Sequence, residues 1–266
     1  MALTYGDAPF GEEPAGEFTF DRDAKLPVLF WQDFPKRFRI DLWGQTVVDS
    51  RRAKALHKTG EMMQICFEPR DVRLDKLSRG ASSGIGPTGP RTAWMAKDES
   101  GSRDAVAWSF EDPPPDAEFL RGWMTFDLDR VDAWYQEDDL GYAHPRDPYH
   151  RYDIQNASRT VVVREGDTVL AKTDRPRILF ETATPVRYYI DPRDVRTELF
   201  VRSKTVSDCP YKGAGQHWNA NVGDRSIANI AWTLPDPLGE AISIVDWYSF
   251  YPEKVIVEVD GSALRS

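Results

Sequence analysis

Six tryptophans stand in two identically spaced sets, Trp94, Trp108 and Trp123 followed by Trp218, Trp232 and Trp247. At an offset of 124 residues, positions 94–131 match the later segment at 11 of 38 places. Ordinary residue usage gives about one chance match in fifteen. The pentapeptide Pro-Arg-Asp-Val-Arg also occurs twice, at 69–73 and 192–196. The chain is therefore a tandem duplication, and its fold must be one that roughly 115 residues can form around a core of their own.

Charge and composition exclude several classes of partner. The 266 residues carry a net charge of -9, with no run rich in Lys and Arg, so neither nucleic acid nor an anionic membrane is an expected partner. No apolar stretch approaches the roughly 18 residues of a membrane span, and the first residues lack the pattern of a signal peptide. The sequence thus predicts a soluble, cytoplasmic protein, and it leaves the oligomeric state open.

Two cysteines, Cys66 and Cys209, fall at non-equivalent places in the two copies. This placement argues against a structural disulfide, and two thiols cannot build a four-thiolate zinc site. His144, Asp147 and His150 lie on a proline-broken segment without the spacing of a known metal site. No metal and no cofactor is predicted.

Short β-branched runs separated by Gly, Pro and Asp predict antiparallel strands. In the second copy these runs are 160–164, 168–172, 177–181, 186–190, 194–200, 227–232 and 254–259. We therefore expect a mainly β protein made of two tandem copies of a small antiparallel domain.

Each copy should also contain one short helix, starting after Asp112-Pro113 and after Asp236-Pro237, because Asp suits the N-cap and Pro the first turn. The predicted organisation is an N-terminal arm over 1–36, a first repeat over 37–135, a linker over 136–151 and a second repeat over 152–266.

The two copies differ most in one segment. The second copy has Asp208-Cys-Pro-Tyr-Lys-Gly-Ala-Gly-Gln-His-Trp218, where the first has Ser83-Gly-Ile-Gly-Pro-Thr-Gly-Pro-Arg-Thr-Ala-Trp94. The first copy keeps turn-forming residues and lacks the thiol, phenol, amine and imidazole. Likewise Phe180-Glu-Thr182 corresponds to His57-Lys-Thr59. These residue types carry acid–base and nucleophilic chemistry, so the difference places a candidate site in the second copy.

These motifs resemble a known bacterial family. The second copy contains Glu181-Thr182, Tyr188-Tyr-Ile-Asp-Pro-Arg-Asp-Val195, Cys209-Pro-Tyr-Lys-Gly213, Trp218, Ala231-Trp232 and Phe250-Tyr251. Together they resemble domain of unknown function 427, also labelled nucleotidyltransferase-like, and the first repeat resembles a degenerate copy. The resemblance implies a small all-β fold of the β-tent type and no established reaction. Asp127-Leu-Asp129 has no phosphate-cradling glycine loop near it, so the sequence does not support the nucleotidyltransferase label.

Three residues are candidates for catalysis. Cys209 becomes nucleophilic if Lys212 or His217 lowers its pKa, whereas an inert buried thiol is the alternative. Lys212 either binds an anionic group or is a solvated loop lysine. Glu181 ends an apolar strand, where burial would raise its pKa for proton transfer; alternatively, it pairs with Arg187 or Arg196.

Four further residues are candidates for ligand contact: Tyr188, Tyr211, His217 and Trp218. The other paired tryptophans are expected in the core, and Asp71 and Asp194 are expected to hold the fold because both copies keep them. The sequence predicts a pocket for a small polar molecule in the second repeat and leaves open whether the protein is an enzyme that acts on it. A non-catalytic ligand-binding module and a protein-interaction adaptor remain as alternatives.

Overall fold

The computed structural model describes residues 3–84, 86–98 and 101–264. The chain divides into two compact units between Tyr149 and His150. Antiparallel strands make up both units, which confirms the predicted mainly β fold. In the described residues, no helix is long and apolar enough to cross a membrane.

The first unit contains eleven strands in the described residues. They are β1 Leu29–Asp33, β2 Phe38–Leu42, β3 Gln45–Ser50, β4 Lys54–Lys58, β5 Gln64–Phe67, β6 Leu77–Ser83, β7 Arg91–Asp98, β8 Gly101–Phe110, β9 Met124–Phe126, β10 Ala133–Gln136 and β11 Asp139–Leu140. Strand β1 lies inside the stretch that the sequence assigned to an arm, and it forms an edge of the larger sheet.

The second unit also has eleven strands among its described residues. They are β12 Tyr152–Asn156, β13 Val161–Glu165, β14 Thr168–Thr173, β15 Arg177–Glu181, β16 Arg187–Ile190, β17 Phe200–Cys209, β18 Gly213–Val222, β19 Arg225–Pro237, β20 Tyr248–Phe250, β21 Ile256–Val259 and β22 Ser262–Ala263. The strand predicted over 194–200 is wrong, because most of that stretch forms two short 3₁₀ turns before β17 begins.

Strand order is the same in the two units. The seven-stranded sheets run β1-β4-β5-β9-β8-β7-β6 and β12-β15-β16-β20-β19-β18-β17. The four-stranded sheets run β11-β10-β2-β3 and β22-β21-β13-β14, which are again equivalent strand for strand. The duplication inferred from the tryptophans therefore extends to the complete topology.

The predicted short helix of each repeat is present as a six-residue 3₁₀ helix, Pro115–Leu120 and Gly239–Ile244. The remaining 3₁₀ turns of the described chain have three residues each: Asp23–Lys25, Pro69–Asp71, Leu74–Lys76, Leu128–Arg130, Pro192–Asp194 and Thr197–Leu199. A six-residue segment is too short for a stable α-helix, and the tighter turn lets alanine and leucine or isoleucine face the sheet.

Each seven-stranded sheet buries both of its faces. In the second unit the inner face packs against the four-stranded sheet through residues such as Ile190, Ala231 and Phe250. The outer face packs against the 3₁₀ helix, with Leu179, Tyr189, Leu234, Ala241 and Ile244 at the centre. We call these the inner face and the outer face below.

Two equivalent hydrogen bonds, one in each unit, hold the duplicated frame. The Trp94 indole donates to Ser109 Oγ at 2.9 Å, and the Trp218 indole donates to Thr233 Oγ1 at 3.1 Å. A buried indole N–H needs an acceptor, so each tryptophan requires a hydroxyl on the next strand.

The motif aspartates play the same role in both units, as the repeat predicts. Asp71 accepts from Ser50 Oγ and Asp194 accepts from Thr173 Oγ1, both at 2.7 Å. Arginines outside the motif complete each pair, at 2.6 Å from Asp71 and 3.8 Å from Asp194. These arginine side chains are 52% and 62% exposed, so both ion pairs are weaker than a buried ion pair would be.

Candidate functional site

A polar row crosses the outer face of the second unit. The strands β16, β20, β19 and β18 place Tyr189, Ser249, Trp232 and His217 side by side, since each is the direct cross-strand partner of the next. Side chains alternate along a strand, so the neighbours Tyr248 and Phe250 of Ser249 enter the inner core instead. The Trp232 indole donates to the Tyr189 hydroxyl at 3.1 Å, and His217 Nε2 lies 3.1 Å from Ser207 Oγ.

Two atoms of this polar row are buried without a hydrogen-bond partner among the described residues. They are the Ser249 hydroxyl and His217 Nδ1, which flank Trp232 on either side. A buried polar group left unpaired costs about 1–3 kcal/mol. The polar row therefore offers hydrogen-bonding capacity that its own side chains do not use.

An aromatic platform lies beside the row and consists of Trp232, Tyr251 and the guanidinium of Arg187. The two rings are 4.4 Å apart, and the Arg187 guanidinium carbon is 5.4 Å from the Trp232 centroid and 5.7 Å from that of Tyr251. The His217 ring is nearly parallel to Tyr251 at 6.0 Å. Arg187 is 19% exposed, and its carboxylate partner in the described chain is Glu253 at 3.9 Å. The Arg187 guanidinium thus rests on ring faces with its hydrogen-bonding fork available.

A charged cluster closes the same face where β15 ends. Glu181 Oε1 accepts from the Lys212 ammonium and from His150 Nε2, the latter at 3.0 Å. Thr184 Oγ1 donates to the other Glu181 oxygen at 3.3 Å. The side chains are nearly buried, with 8% of Glu181, 14% of Lys212 and none of His150 exposed. The His150 ring stacks on Tyr211 at 4.0 Å.

The hairpin between β17 and β18 presents Lys212 to this cluster. Cys209 and Gly213 pair across the turn, leaving three residues in the loop. Gly213 has φ +96°, and a Cβ there would lie 2.7 Å from the carbonyl oxygen of Asp236. Only glycine fits this conformation and approach without strain. The Cys209 thiol is partly exposed and lies near the Tyr152 and Tyr189 phenols.

Electrostatics keep the polar row neutral and Glu181 charged. Burial raises the pKa of Tyr189 well above its usual range, and burial together with the charge of Lys254 lowers the pKa of His217. Burial also works to raise the pKa of Glu181, but the hydrogen bond from His150 and the charge of Lys212 lower it below its ordinary value of 4.5. The expected raised pKa is therefore wrong, and the partner of Glu181 is Lys212 rather than Arg187 or Arg196.

The structure brings some of the predicted site residues together and separates others. Glu181, Lys212 and Tyr211 share the charged cluster. His217 belongs to the polar row on the same face, whereas Tyr188 and Trp218 pack against the inner core.

Tyr188 lines a different space, a narrow cleft of about 10 Å³ between the two sheets of the second unit. Other residues of this cleft include Val161, Phe250 and Val257. The ligand-contact set predicted from the sequence therefore spans two faces of the sheet. A single ligand cannot contact all of it.

Sequence reasoning missed six residues of this face: His150, Arg187, Tyr189, Trp232, Ser249 and Tyr251. Alternation along β16 was a usable signal, because Arg187 and Tyr189 share one face and Tyr188 has the other. His150 carried no such signal, because its partner is 31 residues away. In the described residues, no group of three His, Cys, Asp or Glu side chains could hold a metal ion.

The first unit fills the equivalent row. Its residues pair across the strands in the same order as Tyr189, Ser249, Trp232 and His217, and they are Cys66, Thr125, Trp108 and Ala93. Thr125 donates to the Ile65 carbonyl at 3.0 Å, so the counterpart of Ser249 is satisfied. Arg91 covers the face of Trp108 at 5.9 Å. No buried side-chain nitrogen or oxygen of these four residues lacks a partner in the described chain.

Elsewhere in the first unit, His57 is buried beside the Asp147 carboxylate, with Nδ1 3.4 Å from Oδ2, and its Nε2 is 3.2 Å from the Gln32 amide. Burial works to raise the pKa of Asp147, but hydrogen bonds from His57 and from the Tyr149 amide lower it below its usual range. The strand-end position that Glu181 holds in the second unit is occupied here by Lys58, which pairs with Glu61. The preceding residue, His57, instead contacts the segment around Asp147.

The fold defines a tandem antiparallel β protein with two equivalent units. The chain belongs to the family described as Domain of unknown function (DUF427), whose model, NTP_transf_9, matches residues 31–137 and 153–261. The resemblance inferred from the motifs is confirmed, and it extends to the first repeat. A search of curated proteins finds no match to this chain.

Proposed function

We propose that the second unit binds a small polar molecule on its outer face, over the polar row and the aromatic platform. The observation that carries the proposal is the pair of buried, unpartnered atoms on Ser249 and His217. Their first-unit counterparts are a satisfied threonine and an alanine. A ligand that supplied partners to both atoms would recover the free energy that each loses by being buried and unpaired. Because the first unit has the same fold without these two unpaired groups, the fold itself does not require them.

In this proposal the charged cluster positions the site without touching the ligand. Glu181 holds Lys212 and His150, which fixes the hairpin that carries Cys209 beside the polar row. The Arg187 guanidinium lies over the Trp232 and Tyr251 rings, so a ligand that stacks on these rings must displace it. Arg187 loses only ring contacts and a long ion pair in that movement, which makes it inexpensive.

Indole NMR signals test the proposal. The protein has nine tryptophans, and a Trp232→Phe variant assigns the signal of the site. We expect members of a library of small polar aromatic fragments to shift the Trp232 signal and leave that of Trp108 in place. Ser249→Val should abolish these shifts, whereas the matched first-unit change Thr125→Val should not. Fragments that shift both tryptophans alike, or shifts that survive Ser249→Val, would contradict the proposal.

Catalysis by Cys209, with Lys212 and Glu181 assisting, is the second candidate. It is favoured by a partly exposed thiol that lies near two phenols and three residues before Lys212 in the hairpin. Cys66 is an internal control, because burial raises its thiol pKa far above the usual range. We expect an alkylating reagent to modify Cys209 in the native protein and to leave Cys66 unmodified. A reaction rate that falls in Lys212→Met would support chemistry here, and an unreactive Cys209 would leave binding as the only candidate.

A further inference from the structure

We infer that the ligand of this site is a planar aromatic carboxylate, with its ring on the aromatic platform and its carboxylate on Arg187. This inference rests on the proposed outer-face site and adds the chemical class of the ligand.

The charges around the platform favour an anion. Arg187 and Lys254 both lie over the Tyr251 ring, at 5.7 and 5.4 Å, and Glu253 is the carboxylate nearest to Arg187. The opposite charges of Lys212 and Glu181 cancel each other. Two cations against one carboxylate leave a local charge of about +1, in a chain whose net charge is -9.

Lys254 already has partners, because its ammonium donates to the carbonyl oxygens of Ala228 at 3.1 Å and Asn229 at 2.9 Å. Arg187 differs, because its contacts in the described chain are two ring faces and one carboxylate at the limit of ion-pair distance. A guanidinium presents two parallel N–H donors that match the two oxygens of a carboxylate. Arg187 is therefore the group that an incoming carboxylate would bind.

A flat ring fits the rest of the platform. Trp232 and Tyr251 are tilted by 45° to each other, and their faces now hold the Arg187 guanidinium, itself a planar group. A ring inserted there would displace the guanidinium from the ring faces and replace its cation–π contacts by aromatic stacking, and the displaced guanidinium would gain an ionic partner in the ligand's carboxylate. The unpartnered Ser249 and His217 atoms lie along the same row for a ring substituent.

The first unit supplies the matched variant. Gln64 occupies the position of Arg187, since it pairs with Leu56 as Arg187 pairs with Leu179. Arg187→Gln therefore places a side chain that this fold already accepts, without the charge. Arg187→Lys keeps the positive charge but removes the two parallel N–H donors of the guanidinium.

The experiment titrates benzoate, benzamide and acetate into the full chain and follows the Trp232 indole signal, with the Trp108 signal as reference. We expect benzoate to bind at least about 10-fold more tightly than benzamide, and acetate to bind weakly because it has no ring. Arg187→Gln should remove the preference for benzoate while leaving benzamide binding within about twofold, and Arg187→Lys should restore only part of it.

The outcomes separate the inference from the function it rests on. Equal binding of benzoate and benzamide, or a preference that survives Arg187→Gln, overturns the carboxylate inference and leaves the site standing. Acetate that binds as tightly as benzoate also overturns the inference, because the ring would then contribute nothing to binding. If neither benzoate nor benzamide shifts the Trp232 signal at millimolar concentration, the inference is wrong. If no member of the fragment library shifts that signal either, the proposed site is also wrong.

Discussion

Replacing Glu181 by glutamine should destabilise the second unit by about 3 kcal/mol. The change keeps an acceptor for His150 but leaves the Lys212 ammonium, 14% exposed, without its carboxylate. Removing one partner of a buried ion pair costs about 3–5 kcal/mol, because the other charge stays desolvated. Lys212 retains some contact with water, which places the expected value at the lower end of that range.

A double variant separates loss of the pair from loss of the side chain. In Glu181→Gln with Lys212→Met no charge is left stranded, so we expect roughly 2 kcal/mol to be recovered. The first unit offers a matched pair at the equivalent strand end, Lys58 with Glu61, whose side chains are 22% and 35% exposed. Glu61→Gln should cost at most about 1 kcal/mol, as exposed pairs do.

Hydrogen exchange in urea is the appropriate assay, because a chain of two units need not unfold in one step. Peptides from β15 and β18 report on the second unit, and those from β4 and β7 on the first. A Glu181→Gln protein whose second unit loses less than about 0.5 kcal/mol, or a double variant no more stable than the single, would refute the account of the cluster.

Three further outcomes are expected. The pKa of Glu181 is lower in the folded protein than its ordinary value of 4.5, so its contribution to stability is complete above pH 4.5 and is lost as the pH falls through the folded pKa. The second unit should therefore lose extra stability in acid, and Glu181→Gln should flatten that pH dependence. Asp71→Ala and Asp194→Ala should each cost about 1.5–3 kcal/mol in thermal unfolding, with Asp71 the larger because its arginine is closer; an effect at one site alone would contradict their equivalence. Gly213→Ala should destabilise far more than Gly166→Ala, because both have positive φ but only at Gly213 would a Cβ meet a backbone oxygen, at 2.7 Å; urea midpoints that move equally would disprove the close approach.

Periodicity predicted the fold class well, because runs such as 160–164 and 177–181 are short and β-branched. Their strands begin and end within a residue of those bounds. The strand predicted over 194–200 is wrong because Asp191 and Pro192 begin a 3₁₀ turn, in which the Asp191 side chain accepts a hydrogen bond from the Arg193 amide at 3.0 Å. Turn chemistry overrode β propensity at that point.

The candidate site was only partly predictable. Comparing the copies identified Glu181 and Lys212, but their pairing depends on a hairpin that folds back over 31 residues. Tyr188 was chosen as part of a motif, whereas alternation along the strand gives the outer face to Tyr189. Trp232 was assigned to the core because its counterpart is also a tryptophan. What differs between the copies at that position is the set of neighbours, and the tryptophan itself is unchanged.

Glu181 Oε1 accepts hydrogen bonds from both Lys212 and His150, and the position of His150 in the chain affects how relatives should be compared. The family match to the second repeat starts at residue 153, yet His150 completes the charged cluster and Tyr152 bonds to the hairpin and helix backbone. A fragment cut at the matched boundary would lose both side chains and expose a buried carboxylate–lysine pair. In a homologue, the histidine that fulfils this role must therefore be sought upstream of the aligned segment, in a stretch that alignment would discard as a spacer.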